Sequence, residues 1–329
     1  MEYTGYALQV QQTLFSERCQ VRKILPDRLI HFFGFPAGFH NRTASHNTFA
    51  GISAGETNTS GSRNTFLGSF AGTKNTTAFE NTFIGYLAGF TNTTSVLYTF
   101  VGSDAGYSNT TGTANSFFGA NAGNRNTTGR SNGFAGWEAG YFNTSGSENT
   151  FLGLSAGRSN TTGNDNVFVG RESGRAVTGG DKNVIVRSLA GPAATSGTDN
   201  VILGYNAGKI TTTGARNTLL GTETAPFNTT GVDNTFVGRL AGGRNATGFA
   251  NTAIGQHAGP STSALANATA IGSRAYVSTS NSLVLGSIAG VKGAQNTIKL
   301  GIGTNAPAYL LHVNGVAAKP GGGSWSWNL

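Results

Sequence analysis

The feature that most constrains this chain is a period. A motif of Asn, Thr or Ser, two apolar residues and Gly begins at Asn47, Asn64, Asn81, Asn115, Asn149, Asn217, Asn234 and Asn251, always a multiple of seventeen residues apart. Looser copies at Tyr98, Asn132, Asn166, Asn183, Asn200 and Ala268 fill the gaps. A period of this size, held without a slip, marks a stack of identical coils in which each unit buries its core against the next.

Within a coil, counting the Asn as position 0, position 2 is Phe in most copies and position 3 is aliphatic or small in nearly all. Adjacent residues of a strand point to opposite faces, so positions 2 and 3 cannot share one core. One face fills the coil; the other needs a partner, and the simplest is the same strand of another chain. Position 4 is Gly and positions 7–8 are usually Ala-Gly, which marks backbone corners and a narrow interior. Positions 11–14 read Asn-Thr-Thr-Gly, predicted as a second short strand and a further corner. Seventeen residues so divided leave no room for an ordinary helix. The expected fold is therefore all-β, a parallel β-solenoid of 17-residue coils. Fourteen coils would make a rod of roughly 65 Å.

The residue before each Asn supports the register. In successive coils it is Asp165, Lys182, Asp199, Arg216 and Asp233, a ladder of alternating sign. In a stack these side chains are lateral neighbours, where like charges repel. Residues 1–46 stand outside the motif and are expected to cap the first coil or attach it to a larger particle. The array is expected to span 47–281, a narrowing neck 282–315, where NSLVLG and NTIKLG follow at a shorter period, and a Gly/Trp-rich tail 316–329.

Composition excludes several classes. Gly contributes 50 of 329 residues but does not recur every third position, so collagen is ruled out. The formal charge of +8 comes from Lys and Arg placed singly at turn positions, which suits solubility more than a nucleic-acid partner. The single cysteine, Cys19, allows no intrachain disulfide, and no Cys/His cluster has zinc spacing. No membrane span is expected, and the first nineteen residues lack the layout of a secretory signal. Export would then depend on assembly into a particle, on lysis, or on a leader outside this chain, with an extracellular or particle-surface location.

Two stretches resemble known proteins. The repeat NTFxGxxAGxxNTTG, tightening into NSLVLG, resembles the β-roll heads of trimeric autotransporter adhesins and, more closely, the repeat shafts of tail-fibre-like proteins. KLGIGTNAPAYLLHVNG followed by GGGSWS, Lys299 to Ser326, looks like the junction that precedes an intramolecular-chaperone peptidase domain in such fibres. The resemblance covers about residues 47–326 and implies a left-handed β-roll, an intertwined or side-by-side homotrimer, and a receptor-binding role. In that family a Ser-Asp-basic segment and a self-cleaving chaperone follow the junction. Here Trp327, Asn328 and Leu329 stand where that segment would begin, so neither chaperone nor self-cleavage chemistry is assigned.

No residue pattern points to catalysis. His31, His40, His46, His257 and His312 are scattered, and the acids are single turn residues. The calcium-binding nonapeptide is absent. No catalytic, cofactor-binding or metal-binding residue is therefore expected, and a polysaccharide-cleaving solenoid is the least favoured reading. The Asn-x-Thr/Ser matches, from Asn58 to Asn245, read better as an amide ladder between coils than as glycosylation sites. The neighbouring Thr column (Thr77, Thr94, Thr111, Thr128, Thr162, Thr213, Thr230) leaves open an ice- or mineral-binding rank.

Candidate contact residues lie at positions 5 and 9, where coils differ. Tyr86, Phe90, Tyr107, Trp137 and Tyr141 are candidates for stacking on the sugars of a cell-surface glycan or another receptor. Arg158, Arg171 and Arg175 occupy the same columns and are candidates for anionic ligands.

Overall fold

A computed structural model describes residues 30–291 and 293–314. Its backbone is a parallel β-solenoid. One sixteen-stranded sheet runs in chain order from Ile30–Phe33 to Leu283–Leu285. Each coil adds one three-residue strand directly above the last, as in the pairings Thr150↔Val167, Phe151↔Phe168 and Leu152↔Val169. Sixteen strands at the usual inter-strand spacing make a rod of about 70 Å.

The strands form because positions 1 to 3 carry β-branched, aromatic and aliphatic residues. They stop because position 4 takes a backbone angle that side chains resist, with φ near +135° at Gly153 and +136° at Gly221. Position 8 needs glycine twice over. At Gly157 the backbone is left-handed (φ 56°), and an added Cβ would lie 2.6 Å from the Phe151 ring. Two further left-handed positions are not glycine at all: the residue before each Asn, such as Asp165 (φ 57°), and position 6, such as Glu138 (φ 53°).

The interior consists of columns. From Phe32 to Phe168 every coil contributes one buried ring at position 2, with successive centroids 4.7–5.1 Å apart and planes within 15° of parallel. The column continues as Ile185, Ile202, Leu219 and Phe236, then narrows to Ala253 and Ala270. Two asparagine columns flank it. At position 0, Asn64 donates from Nδ2 to the Ala78 carbonyl (2.8 Å), while its Oδ1 accepts from the Asn81 backbone N–H (3.0 Å). At position 11, Asn143 Nδ2 donates to Asn126 Oδ1 at 2.7 Å and Asn160 Nδ2 to Asn143 Oδ1 at 2.8 Å. The asparagines of the Asn-x-Thr/Ser matches from Asn58 to Asn245 are thus fully buried ladder members, inaccessible to glycosylation in the folded chain.

Three features differ from the sequence expectation. First, the Asn-Thr-Thr-Gly segment is not a second strand. It is a run of turns held by bonds between coils, Thr110 N–H to Thr127 O (3.0 Å) and Thr127 N–H to Thr144 O (2.9 Å), reinforced by the threonine hydroxyls. Its glycine needs proximity, not a special φ: a Cβ on Gly129 would meet the Gly146 carbonyl oxygen at 2.3 Å. A short parallel pair outside the large sheet joins Gly259–Pro260, at positions 8–9, to Tyr276–Val277.

Second, stacking begins before Asn47. Ile30–Phe33 pairs in register with Asn47–Ala50, and Phe32 stacks on Phe49. Residues 30–46 are therefore a full coil, with Phe32, Gly34, Ala37-Gly38 and Asn41 in the motif places and Ile30 where the Asn would be. Residues 1–29 and the tail 316–329 lie outside the described residues.

Third, the neck has two parts. The strand Leu283–Leu285 joins the large sheet at a fourteen-residue offset, Thr269↔Leu283. NTIKLG does not follow it; Leu300–Ile302 pairs with Leu311–Val313 in a separate two-stranded sheet.

Candidate recognition surfaces

The same alternation that buries position 2 turns position 3 outward. Phe83, Phe151, Ile202 and Ala253 are fully buried, whereas their neighbours Ile84, Leu152, Leu203 and Ile254 are exposed, Leu152 at 42%. In-register pairing aligns these residues into one apolar column along the rod. Position 5 borders that column. Tyr86 (52% exposed) and Trp137 (50%) occupy it three coils apart, roughly 14 Å along the stack. These two candidates therefore belong to the outward apolar face.

The other aromatic candidates form a separate group at position 9. Phe90 and Tyr107 stack with centroids 5.2 Å apart and planes 7° from parallel, under Lys74, whose Nζ lies 5.0 Å from the Phe90 centroid. Tyr141 meets Phe142 edge-on at 4.7 Å, and both rings lie between Arg125 and Arg158. Their faces are largely occupied by neighbours in the same chain. Stacked cation–aromatic pairs of this kind contribute about 0.5–1 kcal/mol each at exposed sites.

The three arginines also have partners. Arg158 Nε lies 2.5 Å from Glu138 Oε2, with both side chains partly buried. Glu172 sits between Arg171 (3.7 Å) and Arg175 (3.3 Å). Each cation expected to await an external anion faces an internal carboxylate, and Arg158 is the most firmly held. Glu138 and Glu172 both occupy the left-handed position 6, which no feature of the motif marks as acidic.

The charge ladder is present as a column of left-handed residues, but its contacts are uneven. Arg216 makes a two-pronged bond to Asp233, Nε to Oδ1 at 2.7 Å and Nη2 to Oδ2 at 2.9 Å. This hydrogen bonding lowers the Asp233 pKa below its ordinary value. Arg63 and Glu80 pair in the same column nearer the N-terminus. Asp165, Lys182 and Asp199 lie in the column without an ion pair among the described residues.

The two threonine columns have different roles. Position-12 hydroxyls donate along the stack, as from Thr127 to the Thr144 carbonyl at 3.0 Å. The position-13 threonines, from Thr77 to Thr230, are all exposed. One site escaped the sequence reading altogether. Arg187 occupies position 4, the glycine column, with φ of 101°. The irregularity was visible in the sequence as a break in the Gly register at that coil.

Among the described residues there is no group of three or more His, Cys, Asp or Glu able to hold a metal ion, and no helix long and apolar enough to cross a membrane. No protein-family model matches the chain, and no curated protein matches it either.

Proposed function

We propose that this chain is the shaft or head of a homotrimeric, left-handed β-roll fibre, tail-fibre-like or adhesin-like, that recognises a glycan or other receptor on a cell surface. The observation that carries this reading is the continuous outward column at position 3. An apolar stripe of such length is rare on a monomer and marks a protein contact. A second copy is its simplest complement, because the column repeats with the period of the chain itself. With residues 30–46 forming the first coil, the proposed attachment to a larger particle falls to residues 1–29, and the fibre would work outside the cell or on a particle surface.

The regularity of the core assigns it to shape, and recognition to the positions where coils differ. Trp137 and Tyr86 supply exposed rings for that role. Light scattering on the purified chain tests the assembly: a mass three times that of the chain is expected, and a stable monomer would overturn it. Loss of glycan binding on Trp137→Ala would tie recognition to the aromatic column; unchanged binding would remove it.

A second reading draws on the position-13 threonines, which face outward in a regular rank. Such a rank could meet an ice or mineral surface. Thermal hysteresis of the purified protein distinguishes the two, since a fibre shaft should show none.

A further inference from the structure

Position 9 changes character toward the C-terminal end of the stack. Earlier coils carry Phe90, Tyr107, Tyr141, Arg158 and Arg175 there; later ones carry Pro226, Gly243 and Pro260. Gly243 is not among the left-handed residues, so its backbone does not require glycine. The missing side chain leaves a hollow of about 320 Å³ with Phe227 and Tyr276 in its wall. Past Leu240 it meets a second hollow of about 290 Å³, which reaches Lys209 and Ile210. The two share Pro226, Phe227 and Leu240, and so form one groove. Its dimensions are those of a small-ligand site.

The walls are amphipathic in a specific way. Phe227 is 58% exposed, although its counterpart Phe142 lies between two arginines. Arg244 enters the first hollow with its guanidinium 5.8 Å from the Tyr276 centroid. Lys209 lines the second hollow. The carboxylate in the groove, Glu223, is 3.9 Å from Arg239. The groove lining thus carries two cations, Arg244 and Lys209, and one carboxylate, which Arg239 already pairs.

We infer that this groove binds an acidic hexopyranose of a surface glycan, with the C–H face of the ring on Phe227 and its carboxylate or sulfate toward Arg244 and Lys209. An exposed ring in a groove lined by Arg244 and Lys209 matches both halves of such a sugar: apolar ring hydrogens and a charged oxyacid. The inference deepens the receptor-binding reading and rests on it. It places recognition apart from Trp137, at the turns rather than on the outward strand column.

The test uses the full chain on an array of carboxylated, sulfated and neutral oligosaccharides, with wild type, Phe227→Ala, Arg244→Gln and Gly243→Tyr compared. Tyrosine is a residue that the same column accommodates at Tyr107 and Tyr141. A Cβ on Gly243 would approach the Leu240 carbonyl oxygen to 2.9 Å, so Phe227→Ala, a surface truncation, carries the test if that variant folds poorly. Wild type should retain acidic glycans, and the carboxylated and sulfated arms identify which acid is read. Affinity should fall at least tenfold in Phe227→Ala and Gly243→Tyr, and Arg244→Gln should lose the preference for acid over neutral sugar.

Retention of no acidic glycan overturns the inference, as does acidic binding that all three variants leave unchanged. Light scattering on the same samples separates this from the fibre reading. A trimer without acidic binding removes the groove only, whereas a monomer that binds through Phe227 removes the fibre and keeps the groove. Acidic-glycan binding lost in Trp137→Ala but kept in Phe227→Ala would preserve receptor recognition and remove this site.

Discussion

The Cβ that Gly157 lacks would sit 2.6 Å from two ring carbons of Phe151, so the ring and the missing side chain occupy one space. The relation repeats wherever Phe fills position 2, as at Gly72 with Phe66 and Gly140 with Phe134. One coil shows the reverse. Position 2 is Leu219 there, and position 8 is Ala225, with φ of 47°. Gly157→Ala should therefore destabilise the protein by about 2–4 kcal/mol, combining left-handed strain with overpacking. Adding Phe151→Leu should recover part of that loss, since the pair then matches Leu219 and Ala225. Equilibrium denaturation of the two single variants and the double variant measures the coupling. Strictly additive losses would refute the shared-space account.

That pairing also shows what the sequence could disclose. The opposition of Phe151 and Leu152 across the strand was legible because side-chain direction follows from a period of two. The register was legible because one residue of slip would move every Phe to the wrong face. The Asn-Thr-Thr-Gly segment was less legible, because Asn and Thr side chains satisfy its backbone where a strand ladder was expected. The left-handed state of Glu138 and Asp165 was hidden, since position alone imposes it. Likewise, Ile30 in place of Asn concealed the first coil, although Phe32, Gly34 and Gly38 kept its spacing. The Phe227 groove depends on a side chain that Gly243 does not supply, and absences in a variable column carry no motif.

The buried asparagine column predicts both damage and repair. Asn126 accepts from Asn143 (2.7 Å) and donates to Asn109 (2.6 Å) and to the Gly129 carbonyl (3.0 Å). Asn126→Ala should cost about 3 kcal/mol, because buried partners are left unsatisfied. The column is interrupted at Val177 and Ala194, and Asn160 Oδ1 and Thr211 Oγ1 on either side have no partner. The double variant Val177→Asn/Ala194→Asn should link them and raise the melting temperature above that of either single variant. A double variant no more stable than the better single one would refute the ladder account.

Arg187 predicts a stabilising substitution. Its φ of 101° falls where side chains are strained, in a column otherwise held by glycine. The inter-coil bond from Gly204 N–H to Val186 O is 3.2 Å, against 2.7 Å for the equivalent bond from Gly153 to Ala135. Arg187→Gly should gain about 1 kcal/mol, the relief of strain exceeding the extra freedom of glycine in the unfolded chain. Chemical denaturation checks this, and a loss of stability would show that the arginine side chain makes a compensating contact.

Asp233 should titrate abnormally. Its bond to Arg216 favours the charged carboxylate, so the folded pKa lies below the unfolded one. The stabilisation is then present above the unfolded value and is lost as pH falls through the folded value. It is also expected to weaken with added salt, because both side chains are exposed. Carboxyl-carbon chemical shifts against pH should give a midpoint below 3.8, the ordinary value. Arg216→Ala should return it to the ordinary range; an unmoved midpoint would refute the pairing.

The outward column offers the sharpest separation of fold from assembly. Leu152 is exposed on the face opposite the fully buried Phe151, so its side chain contributes little to the single-chain core. Leu152→Glu should therefore leave the β-sheet circular dichroism of the coil stack intact while weakening self-association. Glu at this position would place like charges of several copies close together across an apolar contact, at a cost of several kcal/mol. Phe151→Glu should instead unfold the coil, since its charge would enter a stack of rings about 4.8 Å apart. Sedimentation or light scattering of Leu152→Glu then reads the assembly alone: dissociation at micromolar concentration is expected, and an unchanged mass would assign the column to some other contact.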